Sequence, residues 1–150
     1  MTLFLLCAVT LLYAAYNLLI KTSSLHVPEA ATTTVLATLT LQVAALVTSL
    51  GFMGVLTLRG GHVLGLSAPA YGWAAAAGLA IGAAEICYFY LFSGVAGSAP
   101  IRASVAVPVI VAGTVVLVAA VSHLAFAATL SPRQLVGGAL VVAGLLLMVR

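Results

Sequence analysis

The sequence predicts an all-α integral membrane protein of five transmembrane helices. Of its 150 residues, 65% are hydrophobic and 5% charged, where an ordinary soluble domain carries about 25% charged residues. The mean hydropathy is +1.34. Gly, Pro, Ser and the charged residues collect at intervals that leave five apolar runs close to the roughly 20 residues a bilayer crossing requires.

The first span is expected over 2–20, ending at Lys21; lacking a basic n-region and a small-residue cleavage site, it reads as a retained span and not a signal peptide. In the loop KTSSLHVPE, Pro28 and Glu29 suit the first turn of a second helix, expected over 30–58. The loop RGGHVLGLSAP leads to a third span over 70–93, with Tyr71 and Trp73 at its entrance as interfacial aromatics. The fourth is expected over 101–127 and carries Pro108, which removes one backbone bond and should kink the helix near its start. The last, over 132–149, opens with Ser131, Pro132 and Gln134 in an N-cap, N1 and N3 pattern.

Five basic residues against two acidic ones give a net charge of +3. They stand singly at the ends of apolar runs, so they read as interface anchors and form no nucleic-acid patch. With five spans the termini lie on opposite sides. Arg59 and Arg133 then face the N-terminal side, and Lys21, Arg102 and Arg150 the other. The positive-inside bias is one residue, which leaves orientation nearly unspecified. A chain inserted both ways and paired head to tail would have such a balance, as would short loops with few charges. Cys7 and Cys87 lie inside apolar runs, where a thiol behaves as a small hydrophobe, and their spacing fits no metal or redox motif. Neither a metal nor another cofactor is expected.

Glu85 is the acid at membrane depth, in GLAIGAAEICYFYLF. A charged side chain there costs on the order of 3 kcal/mol on insertion scales, so without a partner the neutral acid is favoured until water or a cation enters. That behaviour suits a proton-exchange site; the structural alternative is a protonated side chain hydrogen-bonded for packing. Tyr88, Phe89 and Phe92 follow at +3, +4 and +7, on the same helical face, where aromatics beside a carboxylate suit an organic cation or an amphipathic molecule, or simply pack. Gly78 and Gly82 form a Gly-x-x-x-Gly step that permits close helix approach. In the first span Tyr13, Asn17 and Lys21 make a polar stripe. Lys21 reads as a snorkelling anchor, and Asn17 as either interhelical glue or cavity lining. In the second span Thr34, Thr38, Gln42 and Ser49 share a face. Backbone bonding is the common fate of the threonines, and Gln42 is the candidate for a site. His26, His62 and His123 fall at or near span ends and read as interfacial. Arg102 reads as an anchor or an anion contact. Gly137, Gly138, Ala139, Ala143 and Gly144 suit helix packing or a dimer surface.

The run AEICYFYLFSGVAGSAPIRASVAVPVIVAG, followed by SPRQLVGGALVVAGLLLMV, resembles the EamA-type repeat of the drug/metabolite transporter superfamily. YNLLIK in the first span resembles that repeat's opening helix. Five spans is the size of one repeat. The resemblance implies one inverted-repeat unit, which full-length members carry twice in opposite orientations with the substrate path between. A half-size chain would then work as an antiparallel homodimer or beside a second half-size subunit, as the small charge bias also suggests. Where the family commonly has a Gly-Glu-Arg-like turn before the last helix, this chain reads FAATLSPRQ, with Ala128 at the glutamate's place. The resemblance implies a secondary transporter in a bacterial or archaeal plasma membrane, and with Glu85 as its proton site the expected function is proton-coupled export of a small metabolite or drug-like molecule. The alternatives are a flippase subunit for a lipid-linked group and a non-transporting assembly subunit. With two acids and no nucleophile-and-base constellation, an enzyme is not expected.

Overall fold

The computed structural model describes residues 1–28, 30–60, 64–94, 99–127, 129 and 131–149. Glu29, His62, Ala128 and Arg150, singled out above, lie outside the described residues. The chain is all-helical: α1 Thr2–Ser24, α2 Ala31–Leu58, α3 Ala68–Ser93, α4 Ala103–Phe126 and α5 Pro132–Val149. Among the described residues four helices, α1 to α4, are long and apolar enough to cross a membrane, and α5 is a shorter apolar helix.

The ends of these helices follow local chemistry. Pro28 accepts from the Ala30 N–H and the Thr33 hydroxyl, both at 2.7 Å, which folds the chain back just before α2. Pro69 lies in the first turn of α3, where its missing N–H leaves nothing unsatisfied. Gly94 ends that helix in the left-handed region at φ 72°, a conformation glycine adopts without steric cost. Pro108 is carried inside α4. At the start of α5 the Ser131 N–H donates to Gln134 Oε1 at 2.8 Å and the Gln134 N–H to Ser131 Oγ at 3.3 Å, a reciprocal capping box.

The helices form two compact units, Met1–Pro100 and Ile101–Arg150. In the second, α4 packs on α5. In the first, α3 packs against both α1 and α2, and the buried side chains gather at one end. They are Asn17, Ile20 and Ser24 of α1, Thr34 and Thr38 of α2, and Glu85, Phe89, Phe92 and Ser93 of α3. The helices alternate in direction, so the last turns of α1 and α3 and the first turns of α2 belong to the same end. Toward the opposite end, residues 2–15, 43–53 and 71–81 have almost no covered side chains. The unit is packed at one end and leaves its side chains exposed at the other.

Small and self-satisfied polar residues permit the packed end. Thr34 and Thr38 donate their hydroxyls to the carbonyls of Ala30 and Thr34, at 3.0 and 3.1 Å, so they pack as small groups with no polar atom to satisfy elsewhere. Two interhelical bonds then tie α1 to α3. Tyr88 donates its hydroxyl to Asn17 Oδ1 at 2.8 Å. Lys21 donates to the Phe92 carbonyl at 3.2 Å and stands 5.4 Å above the Phe92 ring. That carbonyl belongs to the last turn of α3, which has no intrahelical donors left, and a cation there also meets the negative end of the helix dipole. Lys21 therefore caps a neighbouring helix in addition to marking the end of its own.

The Asn17–Tyr88 bond should be measurable in a double-mutant cycle. Interhelical side-chain bonds in membranes couple by about 0.6 kcal/mol on average and at most about 1.7. Asn17→Leu combined with Tyr88→Phe is expected to fall in that range when unfolding is followed in mixed micelles. Strict additivity would mean the two side chains do not meet.

Candidate functional site

Glu85 stands eight residues before the end of α3, about 12 Å from it at the helical rise, where the packed end gives way to the exposed one. Its side chain is buried, with 5% of its surface exposed. It lines a cavity of about 510 Å³ to which each helix of the first unit contributes. α1 supplies Leu12, Tyr13 and Tyr16, α2 supplies Leu41, Gln42 and Ala45, and α3 supplies Gly78, Ile81 and Glu85. The volume lies within the range of small-molecule sites, which are likewise mostly apolar with a few converging polar groups.

Among the described residues, two buried side-chain oxygens have no hydrogen-bond partner, Glu85 Oε2 and the Tyr16 hydroxyl. Both residues line this cavity. Buried polar groups are hydrogen-bonded in the great majority of cases, so two exceptions among the residues lining one cavity call for a cause. The neighbouring polar residues are committed elsewhere. Asn17 accepts from Tyr88 and donates its amide to the Tyr13 carbonyl at 2.7 Å, which makes it interhelical glue. Tyr88 is turned toward that amide and its ring meets Phe92 edge-on at 5.1 Å.

Gln42 is fixed by contact with α3. Its Nε2 lies 3.1 Å from where a Cβ on Gly82 would stand, so this glycine is what lets α2 bring an amide to the site. One turn earlier, a Cβ on Gly78 would meet nothing within 4 Å, and that glycine forms part of the cavity wall. Close approach in the Gly-x-x-x-Gly step is thus confined to its second member.

Of the six residues expected to form the site, the structure brings Glu85, Gln42 and Tyr13 to one cavity. Asn17 and Tyr88 form a pair beside it. Phe89 is buried and lines a second cavity of about 540 Å³, walled otherwise by α1 and α2, mostly apolar but with the hydroxyl residues Tyr16, Ser23 and Thr48 in its lining. Tyr16 was not among the expected residues, although it borders both cavities and its ring meets that of Tyr13 edge-on, 6.0 Å away. The signal was present in the sequence: Tyr16 is at i+3 from Tyr13, and a stripe traced only in steps of four passes it by. Among the described residues no three His, Cys, Asp or Glu side chains gather to hold a metal.

No protein-family model matches the chain, and neither a curated protein nor a solved structure is similar to it.

The two unpartnered oxygens predict an asymmetry between tyrosines. Tyr16→Phe removes a buried hydroxyl that has no partner, so stability should stay the same or rise by up to about 1–3 kcal/mol. Tyr88→Phe orphans the Asn17 carbonyl oxygen and should lower it. Chemical unfolding in micelles measures both, and a loss on Tyr16→Phe equal to that on Tyr88→Phe would show that the Tyr16 hydroxyl is bonded.

Proposed function

We propose that the protein is a secondary transporter that exports a small metabolite or drug-like molecule in exchange for protons. The observation that carries this reading is Glu85, a buried acid with one unpartnered carboxyl oxygen, among the residues that line a cavity between three helices of membrane-spanning length. An intramembrane acid is costly, and such residues characteristically mark ion or substrate paths. A packing role for Glu85 would call for a hydrogen bond at each buried oxygen, and Oε2 has none. The cavity gives the acid something to exchange its proton against.

The resemblance of the C-terminal half to the EamA-type repeat supports the same reading and extends it. In that extension the chain is one inverted-repeat unit of five spans, with its fourth helix kinked at Pro108, in a bacterial or archaeal plasma membrane. It works as an antiparallel homodimer or with a second half-size subunit. Reporter tags on the two termini test the pairing, since a single orientation in all copies rules out the antiparallel homodimer. A flippase for a lipid-linked group is the second reading, favoured by the mostly apolar cavity between α1 and α2. It requires that a headgroup-labelled lipid, and not a soluble probe, crosses the bilayer.

The decisive variant is Glu85→Gln, which keeps the shape of the side chain and loses the exchangeable proton. In proteoliposomes loaded with a pH-sensitive dye, a panel of labelled amine, amino-acid and sugar probes should reveal a substrate whose flux accelerates with the pH gradient. Glu85→Gln should reduce that flux at least tenfold, while Glu85→Asp retains part of it. Flux that ignores the pH gradient and persists in Glu85→Gln would end the proton-coupled reading.

A further inference from the structure

We infer that the ligand of the Glu85 cavity is a hydrophobic primary amine, bound as its ammonium ion by Glu85, Tyr16 and Gln42. This rests on the transporter reading and names the substrate class for the same site.

The polar groups of the cavity decide the class. Its lining carries one carboxyl group, from Glu85, two phenols, from Tyr13 and Tyr16, and one amide, from Gln42, with no basic side chain. An anion would face the carboxylate with no cation to receive it. A sugar would bring more hydroxyls than four polar side chains can satisfy, and each one left over at membrane depth is costly. An ammonium ion matches the set. Its three N–H groups need three acceptors, and the carboxylate of Glu85, the hydroxyl of Tyr16 and the amide carbonyl of Gln42 supply one each, from α3, α1 and α2. Two of these, Glu85 Oε2 and the Tyr16 hydroxyl, are the unpartnered oxygens already described. The Tyr13 and Tyr16 rings offer aromatic surface to the same charge. Leu12, Leu41 and Ile81 leave the rest of the cavity apolar, suited to a hydrocarbon body.

Charge selects a single amine. The titratable side chains facing Glu85 across the cavity are Tyr13 and Tyr16 of α1; Gln42 and its neighbours on α2 are not titratable, and on α3 itself Tyr88 is bonded to Asn17. The carboxyl proton is therefore the one that exchanges: the neutral acid gives up H⁺ to water as the ammonium ion arrives, leaving a carboxylate beside a cation. The site is electrically neutral before and after, so neither state places a net charge at membrane depth. A diamine dication would leave the site with one positive charge. A quaternary ammonium would preserve neutrality, yet it has no N–H to offer, so the Tyr16 hydroxyl would stay unpartnered.

The test compares tritiated phenethylamine with its N,N,N-trimethyl analogue, bound to the purified chain in lipid nanodiscs. The primary amine is expected to bind at least tenfold more tightly. Tyr16→Phe, which keeps the ring, should weaken the primary amine about three- to tenfold and leave the trimethyl analogue unchanged; Glu85→Gln should abolish binding of both. Equal affinity for the two ligands, an equal loss of both in Tyr16→Phe, or no binding of phenethylamine would overturn the inference. The transporter reading is separated from it by flux in the same preparation. If another probe drives a pH-dependent flux lost in Glu85→Gln while phenethylamine does not bind, the amine class is wrong and the transporter stands. If phenethylamine binds with the expected selectivity and no probe moves, the amine site stands and the transporter reading falls.

Discussion

Hydrocarbon offers no partners to a polar group, so each must be satisfied within the protein, and the packed end of the first unit is arranged around that demand. Asn17 is the centre of the arrangement. At 7% exposure its amide receives the Tyr88 hydroxyl across the α1–α3 contact and gives a hydrogen to the Tyr13 carbonyl in its own helix. One turn further on, Lys21 reaches the Phe92 carbonyl and spares the end of α3 an orphaned acceptor. The threonines of α2 turn their hydroxyls back on their own helix. With these groups satisfied, Ile20, Phe89 and Phe92 can close over one another with almost no exposure.

Against that background the Glu85 carboxyl is an exception with a location. It occurs on the helix that contacts both neighbours, immediately past the last satisfied polar pair and at the point where the side chains cease to be buried. An orphaned oxygen in the middle of the packed end would cost stability with no compensation. At the boundary of a cavity its cost depends on what occupies the cavity, which is the property a binding site for an exchangeable ligand requires.

α3 divides its labour along its length. Its last two turns present Phe89, Phe92 and Ser93 to the packed end, and its middle presents Gly78, Ile81 and Glu85 to the cavity. The transition is made by Gly82, whose missing side chain lets the Gln42 amide lie against the backbone. The same helix therefore supplies both the packed support and the buried acid. Tyr88, one turn from Glu85, holds the carboxylate's neighbourhood in register with α1. The acid is thus held from the packed end, while the opposite ends of α1 and α2 leave their side chains exposed.

The helices were legible in the sequence because their signals are local: apolar length, the Ser131–Gln134 box, the glycine after α3, the proline before α2 and the proline in the first turn of α3. The acid was legible too, since Glu85 is conspicuous by its chemical type. Partnership was not. Asn17 and Tyr88 are 71 residues apart, and no periodicity says that one will meet the other; the same sequence pattern leaves Tyr88 facing either a ligand or an amide. Tyr16 shows the converse. Its residue type carries no signal, because a tyrosine among leucines in a membrane helix is ordinary; what distinguishes it is a buried hydroxyl that finds no partner. Spacing can place a side chain on a face, but whether that face is met by a neighbour depends on how the helices pack, as the Gln42 amide against Gly82 illustrates. A functional group at the edge of a packed region is thus the kind of feature a sequence conceals: its identity is local, while its lack of a partner is a property of three helices together.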